Sequence, residues 1–201
     1  MPPTQRPGPM KTADELEKDI VFDVTLRGRT MRFHSTWGLF SPRAIDDGSY
    51  LLLKHVDLRE DDVSLDLGCG YGAIGLAVAA ATPHGRVHLV DKDFVAIEFA
   101  RKSALANGLT NCEVYLSSAF REVPDVAFDN IVSNLPANVG REMLYLILAG
   151  AHERLKPGGQ LVVVTVSGLR PFIKRNFQEV FGNYRKLKQG RHHTVSLAVK
   201  Q

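Results

Sequence analysis

Three places in this chain carry residue types whose spacing could do chemistry. Asp66 stands two residues ahead of a glycine-dense run, Gly68-Cys69-Gly70-Tyr71-Gly72. A second acid, Asp91, follows twenty-five residues later, and Asn134 opens the run Asn134-Leu135-Pro136-Ala137. Glycines reach φ > 0 and let backbone approach a ligand with no Cβ in the way. Both Gly68-x-Gly70-x-x-Ala73 and Gly70-x-Gly72-x-x-Gly75 pass a loose dinucleotide-site filter. The acids argue for a different ligand. A carboxylate at Asp66 would repel a pyrophosphate and suits a ligand with a positive end. Asp91 ends the next strand, where an acid can accept from both hydroxyls of a ribose. A nucleoside with a cationic amino-acid end and no phosphate satisfies both acids, and S-adenosylmethionine (SAM) has those features.

The elements that must position these groups are legible as alternating strands and helices. "IVFDVTLRGRTMRF" alternates apolar and polar residues around Arg27-Gly28-Arg29, a β-hairpin. "DDGSYLLLKHVDL" is a short helix with Asp46, Asp47 or Ser49 as its cap. Strands follow at "VSLDL", "RVHLVD", "CEVYL", "FDNIVSN" and "QLVVVTV". Between them lie helices over "YGAIGLAVAAAT", "DFVAIEFARKSALANG" and "REMLYLILAGAHERL", the last stopped by Pro157-Gly158-Gly159. Asp93 is read only as a cap. "RPFIKRNFQEVFG" is a final helix, and the chain closes with a hairpin turning at Gln189-Gly190. This order implies a Rossmann-like, mostly parallel α/β sheet with helices on both faces. Ligands then bind beyond the carboxyl ends of the strands, where Asp66, Asp91 and Asn134 all fall.

Bulk properties set the class. The chain has 201 residues, 44% hydrophobic and 23% charged, enough for one core. Residues 1–11, rich in proline, are read as a disordered tail, and 12–201 as a single domain with a hairpin and lid at about 19–56. No apolar run has the length of a membrane span and the start carries no secretory signal. Cys69 and Cys112 form no metal-ligand pattern, so a cytoplasmic location and no metal are expected. Net charge is +3, and the bases are unevenly placed. Arg170, Lys174, Arg175, Arg185, Lys186, Lys188, Arg191 and Lys200 face one acid, Glu179, while Arg27, Arg29 and Arg32 form a smaller group. Such groups can be the footprint of a polyanion or simply a solvated surface. His192 and His193 alternate across a strand and are read as bland.

"LDLGCGYGAIG", "LVDKD" and "FDNIVSNLPA" resemble the motifs of class I SAM-dependent methyltransferases. With "GLFSPRAIDDGSYLLLKHV" upstream, the likeness narrows to the small methyltransferase domain group, which includes ribosomal-RNA guanine-N2 methyltransferases. The resemblance implies a seven-stranded sheet whose last strand is antiparallel. It carries cofactor contacts onto Asp66, Gly68 and Gly70 around the methionine end, onto Asp91 at the ribose, onto Ser118 and Ala119 near the adenine, and onto Cys69, Lys92 and Asn134, the last beside the sulfonium. Phe40 and Ser41 would belong to a lid over the cofactor.

The group's element reads Asn-Pro-Pro-aromatic, and here Asn134, Leu135 and Pro136 carry the expected catalytic role. An Asn side-chain oxygen and the next backbone carbonyl can each accept one N–H of an exocyclic amine, aligning its lone pair with the methyl group. Ala137 replaces the aromatic that would stack on a flipped base. Trp37, Tyr145 or Phe172 are candidates to supply it. The expected function is therefore SAM-dependent methylation of RNA, with a partner or homodimer as a source of further substrate surface. The alternatives are a protein or small-molecule acceptor, a non-catalytic SAM- or RNA-binding module and, more distantly, a nicotinamide dehydrogenase.

Overall fold

In the computed structural model, residues 12–137 and 139–201 are described. The tail expected over residues 1–11 lies outside them. A short helix, α1 (Ala13–Glu17), leads into an antiparallel hairpin of β1 (Ile20–Leu26) and β2 (Arg29–Ser35). Its turn puts Arg27 and Gly28 at φ 48° and 83°, the left-handed pair that a two-residue hairpin needs. α1 starts at a reciprocal Thr12–Glu15 capping box, a signal present in the sequence and passed over there.

The remaining elements run α2 (Asp47–His55), β3 (Val63–Leu67), α3 (Ala73–Ala81), β4 (Arg86–Asp91), α4 (Phe94–Ala106), β5 (Cys112–Leu116), β6 (Phe128–Asn134), α5 (Arg141–Arg154), β7 (Leu155–Val166), α6 (Arg170–Phe181), β8 (Arg185–Gln189) and β9 (His193–Val199). The seven-stranded sheet has the order β5-β4-β3-β6-β7-β9-β8. All pairs through β7 are parallel, and β9 is antiparallel to both neighbours, as expected. The order reverses between β3 and β6, which opens a crevice beyond their carboxyl ends.

Each face of the sheet has its own core. On one side Leu52, Leu76, Leu89 and Ile97 pack with Met31 and Phe33 of the hairpin; on the other Leu65, Ile131, Leu144 and Phe177 pack together. The hairpin is pinned to α4 by Asn107, whose side chain accepts from the Arg32 backbone N–H at 2.9 Å and donates to the Arg32 carbonyl at 2.7 Å. Among the described residues no helix is long and apolar enough to cross a membrane.

One boundary differs from expectation. β7 begins at Leu155, ahead of Pro157-Gly158-Gly159, rather than after it. Its register against β6 jumps from Phe128↔Leu155 to Asn130↔Gln160, so the Pro-Gly-Gly segment bulges out of that ladder. Its backbone bonds the end of the chain instead: Gly158 N–H donates to the Lys200 carbonyl and Lys200 N–H to the Gly159 carbonyl.

Candidate functional site

The crevice is a cavity of about 690 Å³, within the range of small-molecule sites. Phe40, Asp66, Gly68, Cys69, Gly70, Asp91, Lys92, Ser118, Ala119, Asn134, Leu135 and Pro136, the candidates drawn from sequence, all lie on its wall. Trp37, Tyr145 and Phe172 do not line it, and Trp37 lies under the Arg43 guanidinium instead.

The glycine run forms because β3 must turn sharply into α3. Gly68 and Gly70 hold φ of 77° and 55°, and a Cβ on either would meet nothing within 4 Å. That open side is where a ligand can approach the backbone. Gly75 serves packing: a Cβ there would lie 2.5 Å from Leu89 Cγ and 2.9 Å from Asp66 Cβ.

The direction of the loop's N–H groups is informative. Gly68 and Cys69 N–H donate to the Val90 carbonyl, and Gly70 N–H donates to Asp91 Oδ2 at 2.9 Å. In the first turn of α3, Gly75 N–H donates to Asp66 Oδ2 at 2.6 Å. A phosphate seat needs such donors turned toward the ligand. Here they are satisfied internally and carboxylates stand in the phosphate's place, so the loop does not suit a pyrophosphate.

Asp66 is 1% exposed. Burial raises its pKa to about 7; the Gly75 N–H opposes the rise and the Asp91 charge adds to it. Its negative charge is therefore conditional near neutrality, a refinement of the fixed carboxylate assumed from sequence. Asp91 accepts from Gly70 N–H on Oδ2 and from Asp93 N–H on Oδ1 at 3.0 Å. Each of its oxygens retains a second lone pair for a ribose hydroxyl. The Cys69 thiol is buried, and burial pushes its pKa up, so it serves as wall rather than nucleophile.

Ala119 adopts φ 52°, and the turn around it is braced by Ser117, whose hydroxyl donates to the Ala119 carbonyl at 2.6 Å. Ser41 is left-handed as well, at φ 48°. Two strained non-glycine residues thus flank one cavity, a placement typical of ligand sites. Phe40 is 71% exposed, so it is not a core residue.

At the far end of the cavity, Asn134 closes β6. Its Nδ2 donates to Asp46 Oδ1 at 3.1 Å and to Ser49 Oγ at 3.2 Å. A carboxylate can only accept, so this contact fixes which end of the amide is nitrogen. The Asn134 oxygen is thereby turned away from α2, and among the described residues nothing donates to it. Asp46 Oδ1 also caps α2 through the N–H groups of Gly48 and Ser49. Leu135 tucks its side chain into the core and donates its N–H to the Val164 carbonyl at 3.0 Å. Ala137 is exposed and Pro136 beside it also faces solvent.

Two contributions escaped the sequence reading. Asp46 and Ser49 were recognised only as possible caps, not as partners of Asn134. Tyr71 was named only as a member of the glycine run, with no role of its own. Its hydroxyl donates to the carbonyls of Ser41 and Ala44, at 3.1 and 3.2 Å, and ties the segment 41–44 to the glycine loop.

A family model described as "Methyltransferase small domain" matches residues 30–196. The uncharacterized protein YbxB of Bacillus subtilis is 30% identical over 87% of this chain and 89% of its own length. Ribosomal RNA small subunit methyltransferase C of Haemophilus influenzae is 34% identical over 79% of this chain. Among solved structures, the T. thermophilus 16S rRNA N2 methyltransferase in complex with AdoMet and guanosine superposes with a TM-score of 0.82, at 29% identity over 90% of this chain. The chain spans 48% of the H. influenzae protein and 50% of the T. thermophilus one.

Proposed function

Because the chain belongs to the methyltransferase small domain family, we propose that it transfers a methyl group from SAM to RNA, with the exocyclic amine of a guanine as acceptor. The observation that carries the reading is one cavity with a phosphate-averse glycine loop at one end and an open amide oxygen, Asn134 Oδ1, at the other. The similarity to ribosomal RNA methyltransferases makes ribosomal RNA the first acceptor to test.

The residues present fit SAM. The bare backbone at Gly68 and Gly70 would receive the amino-acid end, and ionised Asp66 would offset its ammonium charge. Asp91 would hold the ribose, and the turn at Ser118 and Ala119 would border the adenine. Bound SAM supplies a methyl group on a sulfonium, which leaves without acid assistance. The chain's own task is therefore orientation. Asn134 Oδ1 and the Leu135 carbonyl accept the two N–H groups of the amine and hold its nitrogen toward the methyl donor. Accepting both protons raises electron density on that nitrogen as it gains charge in the transition state. Asp46 and Ser49 keep the Asn134 amide from turning over. The amine loses its proton after transfer, so no strong base is required before it.

Asn134→Ala tests this directly, assayed with labelled SAM on separated RNA, protein and metabolite fractions. The expected result is label in RNA for the wild type and a fall in kcat of about 10²–10³ for the variant. Label in protein or metabolites alone would refute the RNA acceptor. Full transfer by the variant would remove Asn134 from the chemistry.

A further inference from the structure

The two basic groups seen in the sequence have different fates in the fold. Those of the N-terminal hairpin are spent on structure. Arg32 pairs with Asp23 at 2.8 Å, Arg27 donates to the carbonyls of Leu53 and Val56, and Arg29 donates to the Asn107 carbonyl. Those near the C-terminus, apart from half-buried Lys200, are exposed, and among the described residues Arg170, Lys186, Lys188 and Arg191 pair with no carboxylate.

The sheet register places them beside the site. Asn134 lies opposite Val164, Val164 opposite Val195, and Val195 opposite Lys188. Lys188 is therefore level with Asn134, three strand spacings or about 14 Å away. Gln189, next along β8, gathers two cations on one amide oxygen: Arg170 at 3.0 Å and Lys186 at 3.4 Å. Arg191 follows in the turn between β8 and β9, at the same end of the sheet as the cavity mouth. Glu179, the acid of this segment, is nine residues along α6 from Arg170, about 13 Å by helix rise. On the cavity side the His193 ring packs on Gly48 beside the Asp46 carboxylate: a Cβ on Gly48 would lie 3.1 Å from that ring and 2.9 Å from Asp46 Oδ1, and Asp46 is already engaged in capping α2 and holding Asn134.

We propose that Arg170, Lys186, Lys188 and Arg191 form a track for the phosphates of an RNA strand whose target base enters the cavity at Asn134. This rests on the reading of RNA as acceptor and adds where the backbone runs. Like charges held together without counter-charge suit a polyanion, whose binding releases counterions. A position level with Asn134 lets flanking phosphates anchor while one nucleotide leaves its stack.

The test is the salt dependence of binding of a short mixed-sequence single-stranded RNA to the full chain over roughly 50–200 mM salt. In the variant with all four residues replaced by Gln, the slope of log K against log salt should shrink by about 3, at about 0.7 per lost phosphate contact in single strands. Lys188→Gln alone should shrink it by about 0.7, which keeps the test informative if the fourfold variant misfolds. Arg29→Gln/Arg32→Gln should leave it unchanged. If wild-type chain binds RNA and the fourfold variant keeps the same slope, the track is refuted and these cations merely protect a sheet edge. If wild-type chain binds no RNA, the acceptor reading itself fails. If polyglutamate binds with the same slope and affinity as RNA, the track belongs to an acidic protein and the RNA assignment is overturned.

Discussion

The two halves of the cavity are built by different means. On the proposed reading, the cofactor half centres on one short segment of backbone, with the carboxylates of Asp66 and Asp91 and the Ser118–Ala119 turn beside it. Its shape follows from φ at Gly68 and Gly70, and its internal bonds run to Val90 and Asp91 on the adjacent strand. The acceptor half is made from side chains brought together over long separations; Asn134 meets Asp46 across 88 positions. A backbone-built site tolerates little change in residue type, because only glycine adopts those angles without cost. A side-chain-built site can be rebuilt for a new substrate while the fold stays intact, and the exchange of an aromatic for exposed Ala137 fits that freedom.

The contrast predicts separable failures. The largest effect is expected from Asp91→Ala. Losing two charge-assisted bonds to a ribose, each worth about 1.5–3 kcal/mol, should weaken SAM binding by about 10²–10³ or more in a calorimetric titration. Affinity for RNA should stay as it was. A variant that loses both together would show that the two halves are not independent.

A smaller effect is expected at the seam. Asp46→Ser keeps an oxygen that can cap α2, since serine caps nearly as well as aspartate, but is too short to hold Asn134. Its melting temperature should stay close to that of the wild type while kcat falls roughly ten- to a hundredfold. Asp46→Asn retains both roles and should recover most of the rate. If kcat follows melting temperature across both variants, Asp46 is only a helix cap.

The same division explains what could be read in advance. The glycine run and the acids at strand ends announce themselves because local backbone geometry demands them, and the strands and helices around them follow from hydrophobic periodicity. The start of β7 was placed too late, after Pro157-Gly158-Gly159, because a bulge paired with the end of the chain mimics a local break. The Asp46–Asn134 bond and the reach of Tyr71 to Ser41 were illegible, since no local pattern links segments so far apart. The two arginine-rich groups look alike as sequence. Only the fold shows that Asp23, Asn107 and the carbonyls of Leu53 and Val56 absorb one of them.

The central claim is that a buried carboxylate beside a glycine loop selects a cationic nucleoside. With the folded pKa of Asp66 near 7 against an ordinary 3.8, the protonated acid stabilises the ligand-free fold below about pH 4, and this contribution is lost as pH rises through 7. A ligand with an ammonium group favours the ionised form, so its binding releases a proton around neutrality. The decisive measurement is calorimetric titration of the chain with SAM at pH 6 and pH 8, with NAD as the comparison ligand. SAM should bind about fourfold to fivefold tighter at pH 8, the roughly tenfold gain from Asp66 ionisation being halved because the ligand's α-amino group titrates near about 7.7–8.0, and NAD should give no heat. Binding of NAD in this cavity, or SAM affinity that does not rise with pH, would contradict it.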